Sequence, residues 1–126
     1  MSVKIVPVEK GNPARPDNPK TWHGMVTSDG DVNLKTLGKY ISLRCTVNPA
    51  DTVAVLEVLT QVLTEELSDG KIVRFGDFGS FQAGVGSRGA ETKEKFTTSL
   101  IRSRKVIFRP GADLKEMLTN LKFEKL

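Results

Sequence analysis

The sequence predicts an α+β protein, because helical periodicity in one part of the chain gives way to strand-like alternation in the next. Between about residues 32 and 68, apolar residues recur every three or four positions, which is the spacing of amphipathic helices. From Lys71 onward the pattern changes to short apolar runs and alternation, which is typical of strands. The length of 126 residues fits one domain with an appendage.

Residues 1–30 are predicted to form an N-terminal extension ahead of a domain over residues 31–126. Val3 to Val8 is a short β-like run, and Trp22 to Thr27 a second one that ends in a Ser-Asp-Gly turn. Three prolines separate the two runs and indicate a linker, since neither a helix nor a central strand accepts them. A candidate partner for the first strand is the tail Leu121 to Leu126.

Two helices follow. The first is predicted over about residues 32–44, with an apolar face formed by Leu34, Leu37, Tyr40, Ile41 and Cys45. The second is predicted from Pro49 to Ser68, because Asn48 is a good N-cap and proline suits the first helical position. Gly70 is its expected terminator.

The second helix carries an unusually wide apolar surface. At 100° per residue its valines and leucines fill an arc of about 180°, although Asp51, Thr52 and Glu66 interrupt it. A small sheet and one short helix would not cover such an arc, so we expect this helix also to pack against a partner subunit. The alternative is a central helix buried within a monomer.

The C-terminal half is predicted to contain a hairpin, a polar excursion and a returning strand. Gly76 and Asp77 form the expected tight turn between the strands Ile72 to Phe75 and Phe78 to Val85. Residues 86–97 are polar, and Ser99 to Arg109 alternates again as a strand. Leucines and a methionine at helical spacing predict a short final helix, namely Leu114, Met117, Leu118 and Leu121.

The formal charge of +4 is distributed unevenly. Residues 1–70 contain seven Lys/Arg and nine Asp/Glu, a net charge of −2, whereas residues 71–126 contain twelve and six, a net charge of +6. A basic half indicates an anionic partner such as nucleic acid, and the alternative is a merely solvated basic surface.

The sequence contains no convincing motif for a catalytic, metal or nucleotide-binding site. A single cysteine, Cys45, and a single histidine, His23, provide no zinc site and no catalytic triad. Gly84, Gly86 and Gly89 match a dinucleotide-binding spacing, but no helix follows to hold a phosphate. We therefore expect no enzyme activity, no metal, no cofactor and no small-molecule substrate. The chain also has no signal-like or membrane-spanning apolar run, which predicts a cytoplasmic protein.

Two segments resemble the bacterial histone-like HU/IHF family. Arg74 to Phe81, RFGDFGSF, is similar to the glycine-aromatic turn of that family, and Ser103 to Gly111, SRKVIFRPG, is similar to its returning strand and Pro-Gly exit. The order of elements over residues 31–121 also matches, and the extra N-terminal residues resemble an extended HU-like subgroup of Bacteroides-type bacteria.

The resemblance implies an intertwined homodimer with a helical base and two β-ribbon arms, here about residues 84–104. Such a dimer would embrace double-stranded DNA through the minor groove and phosphates, with little sequence specificity, and would bend or compact it in the nucleoid. The residues expected to contact DNA are Arg88, Lys93, Lys95, Arg102, Arg104, Lys105 and Arg109.

The arm departs from the family pattern at its tip. Family arms usually carry an Arg-Asn-Pro tip whose proline wedges between base pairs, whereas this chain has GAETKEKF at residues 89–96. Phe96 is a candidate replacement wedge, and the alternative is that it packs within the ribbon. Glu91 and Glu94 also dilute the positive charge. The rival function is therefore a dimeric structural or adaptor protein with this fold and little DNA affinity. RNA or single-stranded DNA is disfavoured by the lack of stacking aromatics.

Overall fold

A computed structural model describes all residues from Met1 to Leu126 and divides them into two structural units. One unit combines residues 1–33 with residues 117–126, and the other contains residues 34–116. The helices are α1 Leu34–Ser42, α2 Pro49–Ser68 and α3 Ala112–Thr119. The strands are β1 Val3–Lys10, β2 Thr21–Thr27, β3 Val73–Phe75, β4 Gly79–Ser87, β5 Ile101–Pro110 and β6 Phe123–Lys125.

The first unit is built on a three-stranded sheet in the order β2-β1-β6. β1 and β2 pair antiparallel from Lys4 opposite Thr27 to Lys10 opposite Thr21, so both predicted N-terminal strands are confirmed. β6 pairs parallel to β1, with Val3 opposite Phe123. The expected pairing between the N-terminal strand and the C-terminal tail is therefore confirmed.

In the second unit, α2 has the predicted bounds because its capping groups are in place. The Asn48 Oδ1 accepts a hydrogen bond of 2.9 Å from the backbone N–H of Asp51, and its Nδ2 donates one of 2.9 Å to Asp51 Oδ2. At the other end Gly70 takes a φ of +81°, which suits glycine. α1 is two residues shorter at each end than predicted, and its chain tightens after Ser42 through a bond from Arg44 N–H to Ile41 O.

Close packing joins the two helices at a glycine. Gly38 of α1 is buried, and a Cβ at this position would lie only 2.7 Å from Val53 Cγ2 on α2. A side chain at residue 38 would therefore force the helices apart.

The second sheet has the order β3-β4-β5, and both of its pairings are antiparallel. The hairpin loop contains three residues rather than the predicted two, since Phe75 pairs with Gly79 and Phe78 N–H bonds to Phe75 O. Gly76 permits this turn with a φ of +56°. The strand pairing of the arm ends at Ser87 opposite Ile101, with an irregularity next to Gly86.

The second unit encloses no buried hydrophobic side chain of its own; its one buried polar residue is Thr52. Aromatic rings do meet, since the Phe81 and Phe108 centroids lie 4.8 Å apart, and Phe78 lies 5.9 Å from Phe108. Yet 45% of Phe78 and 37% of Phe108 stay exposed. In a complete hydrophobic core, a phenylalanine cluster of this size would be shielded from solvent. None of the helices is both long enough and apolar enough to cross a membrane.

Candidate nucleic-acid interface

A row of side chains crosses the second sheet from β3 to β5. Arg74 pairs with Ser80, and Ser80 pairs in turn with Arg109. Directly paired residues of antiparallel strands project on the same side of a sheet, so the two guanidinium groups flank a serine on one face. Both arginines are exposed, and neither forms an ion pair within the chain.

The same face continues toward the arm with small and polar residues. Lys105 lies opposite Gly84, and Ser103 lies opposite Gly86. A Cβ on Gly84 would lie 2.7 Å from Ile107 Cδ1 and 3.2 Å from Lys105 Cε, so both side chains lie against the bare glycine backbone. We call this side the basic face; its paired residues are Arg74, Ser80, Gln82, Gly84, Gly86, Ser103, Lys105, Ile107 and Arg109.

The other side of the sheet is apolar. Phe81 opposite Phe108 and Ala83 opposite Val106 define it, and Val85 continues it toward the arm. Arg104 also lies on this side, because it pairs with Val85. The returning strand therefore does not present all of its predicted cations together: Lys105 and Arg109 lie on the basic face and Arg104 on the apolar face.

Arg102 occupies the irregularity in the ladder. Ser103 pairs with Gly86 and Ile101 pairs with Ser87, which leaves Arg102 as the extra residue between them. An extra residue of this kind redirects its side chain and increases the local twist. Arg102 thus marks the point where the regular sheet gives way to the arm tip.

The arm tip is a loop rather than a long ribbon. Arg88 N–H donates a hydrogen bond of 2.8 Å to Leu100 O, and a hydrogen-bonded turn follows, with Phe96 N–H bonded to Lys93 O. A short 3-10 helix, Thr98–Leu100, then leads into β5. Lys95 Nζ lies 3.1 Å from Glu91 Oε2. Because both side chains are largely exposed, this ion pair is weak and competes only modestly with a phosphate.

Phe96 sits at the end of the turn with 45% of its surface exposed. Its ring takes part in none of the aromatic contacts described above, all of which join phenylalanines of the sheet and its hairpin. The ring is thus neither buried in the ribbon nor fully free in solvent. The arm tip also holds Arg88 and Lys93, both exposed.

Arg74 was absent from the residues expected to contact DNA. A signal was present in the sequence, because Arg74 stands between Val73 and Phe75 in a strand and must project opposite to them. Only the register shows that it shares a row with Arg109. No group of three or more His, Cys, Asp or Glu side chains is arranged to hold a metal ion.

Comparison with known proteins identifies a family for the chain. A family described as an HU domain fused to wHTH, Ig, or glycine-rich motif (HU-HIG) matches residues 1–125. No curated protein matches the chain.

Two solved structures share the fold. A candidate bacterial DNA-binding protein from Bacteroides vulgatus ATCC 8482 is 16% identical, with a TM-score of 0.66; the match covers 99% of this chain and 48% of that one. This chain therefore spans about half the length of the Bacteroides protein. An Anabaena HU–DNA cocrystal structure is 21% identical, with a TM-score of 0.56, over 71% of this chain and 99% of that one.

Proposed function

The chain belongs to the HU-HIG family, and from this premise we propose that it is an architectural protein that binds double-stranded DNA. HU-like proteins are non-enzymatic DNA-binding proteins, which agrees with the expectation that the chain is not an enzyme. One similar solved structure, which matches 71% of this chain, is an HU–DNA cocrystal structure from Anabaena. The proposal extends the binding of DNA to this chain.

The observation that carries the proposal is the row of Arg74, Ser80 and Arg109 on the basic face. Exposed arginines without internal carboxylate partners are free to neutralise phosphates, and the release of condensed counterions supplies affinity without sequence readout. Ser80 adds a hydroxyl of the kind that donates to phosphate oxygens. No recognition helix is needed for such binding.

We extend the contact surface to the arm. Lys105 belongs to the basic face, and Arg102 and Arg104 bring further charge to the base of the arm. Arg88, Lys93 and Lys95 would continue it along the tip into the minor groove, where an inserted apolar side chain such as Phe96 bends the duplex. Bending would bring more phosphates to the protein, and it would account for a compacting role in the cytoplasmic nucleoid.

The active form in this proposal is a homodimer. On α2, Val55, Val58 and Val62 lie within an arc of about 60° and remain 63%, 54% and 44% exposed. Burying one such side chain fully is worth about 1.5–3 kcal/mol, so leaving the stripe and the phenylalanine cluster in water would be costly. A second copy that covers both would complete a core that one chain does not enclose.

Fluorescence anisotropy of a labelled random-sequence duplex, titrated at several salt concentrations, tests the proposal. For about five neutralised phosphates the log–log slope of affinity against salt should be roughly −4 or steeper. Equal affinity for unrelated duplexes would support binding through the backbone. The absence of binding at low salt would refute it.

A dimeric structural or adaptor protein is the second candidate. The Glu91–Lys95 ion pair and the absence of an arm proline favour it, because both reduce the DNA contacts available at the tip. In that case the dimer would form but the duplex would stay unbound even at low salt. Sedimentation and anisotropy on the same sample separate the two functions.

A further inference from the structure

The outer strand of the first sheet, β2, is an open edge without the usual protection. It spans seven residues, Thr21–Thr27, and contains neither a proline nor a Lys, Arg, Asp or Glu. The order β2-β1-β6 leaves its outer backbone groups unpaired within the chain. The opposite edge, β6, is only three residues long and carries Glu124 and Lys125. Natural sheets guard edges with charges, prolines or short strands, and β2 has none of these.

Three side chains of β2 are both apolar and exposed. Trp22, Met25 and Val26 are 66%, 49% and 62% exposed. Trp22 and Val26 lie on the same face of the sheet as Ile5, because Val26 pairs with Ile5 and strand residues alternate. Along this face an open cleft of about 510 Å³ is lined by Ile5, Pro7, Trp22 and Phe123, among others. The apolar strip therefore reaches the open edge itself.

We propose that β2 pairs antiparallel with β2 of a second copy of this chain, about a two-fold axis at Gly24. Gly24 is the central residue of the strand, with three residues on each side. In this register Trp22 lies opposite the partner's Val26, and His23 lies opposite the partner's Met25. The strand is its own complement, as a two-fold symmetric contact requires.

The pairing is favourable across the strand. An aromatic residue opposite a β-branched residue is a stabilising cross-strand pair, and here it occurs twice by symmetry. The contact would join the two apolar strips and cover Trp22 and Val26. No Lys, Arg, Asp or Glu of β2 has to be desolvated, because there is none.

The charges at the two ends select the antiparallel direction. Lys20 precedes β2, and Asp29 follows it by two residues, so each Lys20 approaches the partner's Ser28 and Asp29. A parallel arrangement would instead place Lys20 beside Lys20. Asp29 accepts a contact of 3.3 Å from Lys4 of its own chain, but its side chain is 84% exposed and open to a second cation. Opposite charges at both ends of the paired strands thus stabilise the antiparallel register that has its two-fold axis at Gly24.

This surface is separate from the proposed dimer contact. β2 belongs to the unit of residues 1–33 and 117–126, whereas the valine stripe of α2 belongs to the unit of residues 34–116. The chain therefore carries a second self-association surface that does not use the basic face. Whether β2 pairs with a second copy therefore does not depend on whether the basic face binds DNA.

Cysteine crosslinking tests the register directly. Two full-length proteins, His23→Cys and Met25→Cys, are prepared with Cys45 replaced by Ser, co-refolded from urea in equal amounts and mildly oxidised. Opposed residues of antiparallel strands have Cα atoms about 4.5–5.5 Å apart, within the range that a disulfide spans. We expect mixed disulfides, identified by mass, in several-fold excess over like pairs. A statistical ratio or no crosslink in correctly folded protein would overturn the proposal.

The single tryptophan gives a second readout. Quenching of Trp22 fluorescence by acrylamide should weaken as the wild-type concentration rises, because pairing covers the ring. Val26→Lys should abolish this protection. Val32→Lys should preserve it, since Val32 is similarly exposed at 56% but lies outside β2. Circular dichroism checks that both variants fold. Equal behaviour of the two variants would refute the pairing.

Discussion

The backbone N–H of Gly111 donates a hydrogen bond of 2.8 Å to the carbonyl oxygen of Phe78. A second bond of 3.0 Å runs from Asp113 N–H to the carbonyl oxygen of Asp77. The hairpin turn and the Pro-Gly exit of β5, which carry the two sequence segments that resemble the HU/IHF family, therefore dock on each other through main-chain groups. This docking holds the end of the sheet where Arg109 projects.

Gly111→Ala should destabilise the protein, because the new Cβ would collide with the Asp77 carbonyl. Overpacking of this kind costs about 1–3 kcal/mol. Urea denaturation followed by circular dichroism measures the loss. Gly89→Ala is the matched control, since a Cβ at residue 89 meets nothing within 4 Å. Equal stability of the two variants would show that the turn can move aside.

Arg74→Ala and Arg109→Ala should each weaken DNA binding uniformly across sequences. Each arginine that contacts one phosphate contributes about −0.9 to the salt slope, so removing it should flatten the slope by that amount. Anisotropy titrations at several salt concentrations measure the change. Lys71→Ala removes the same charge from a residue paired with Glu66 and should leave the slope unaltered. If Arg74→Ala leaves the salt slope unchanged, DNA does not contact the basic face at Arg74.

Local signals in the sequence were sufficient for α2, whereas α1 is shorter than predicted and α3 ends at Thr119, so that Leu121 of the predicted final helix lies outside it. Asn48, Pro49 and Gly70 are short-range stop and start signals, and α2 begins and ends where they predict. Alternation separated Arg104 from Lys105 correctly, but it did not predict the position of Arg102. One extra residue, Arg102, shifts the ladder between Gly86 and Ser87, and neither neighbour announces the shift by its chemistry.

The arrangement of the site depends on strand pairing between residues that are far apart in sequence. Arg74 and Arg109 lie 35 positions apart in sequence and become neighbours only through Ser80. Alternation indicates which residues share a side of one strand, but it does not give the register between strands. The tail strand β6 was expected as a partner of β1, yet its parallel direction follows only from the fold.

Glu91→Gln should strengthen DNA binding at low salt. The change removes a negative charge and releases Lys95 from its 3.1 Å ion pair, so that one more cation can neutralise a phosphate. We expect a salt slope steeper by about 0.9. Glu94→Gln removes an equal charge but leaves the Glu91–Lys95 pair intact, so its slope should match that of the wild type. Identical slopes for both variants would mean that Lys95 does not reach DNA.

Phe96→Ala should reduce DNA bending if the ring is the wedge of the arm. An inserted apolar side chain unstacks a base step and kinks the duplex, and alanine is too small to do so. Energy transfer between dyes at the two ends of a short duplex measures the end-to-end distance. Phe96→Leu keeps an apolar wedge and should retain most of the bend. An unchanged distance with Phe96→Ala would assign the ring to packing within the arm.

Val58→Lys should dissociate the dimer, because it places a charge in the centre of the exposed valine stripe of α2. The loss of one buried valine alone corresponds to about 1.5–3 kcal/mol, which is a rise in the dissociation constant of at least about tenfold. Sedimentation velocity over a range of concentrations measures this rise. Since one chain encloses no hydrophobic core of its own, we also expect the melting temperature to fall and to depend on protein concentration. Thr60→Lys provides the control on the opposite side of α2 and should leave both quantities unchanged. A Val58→Lys protein that stays dimeric would show that the valine stripe is not the contact between subunits.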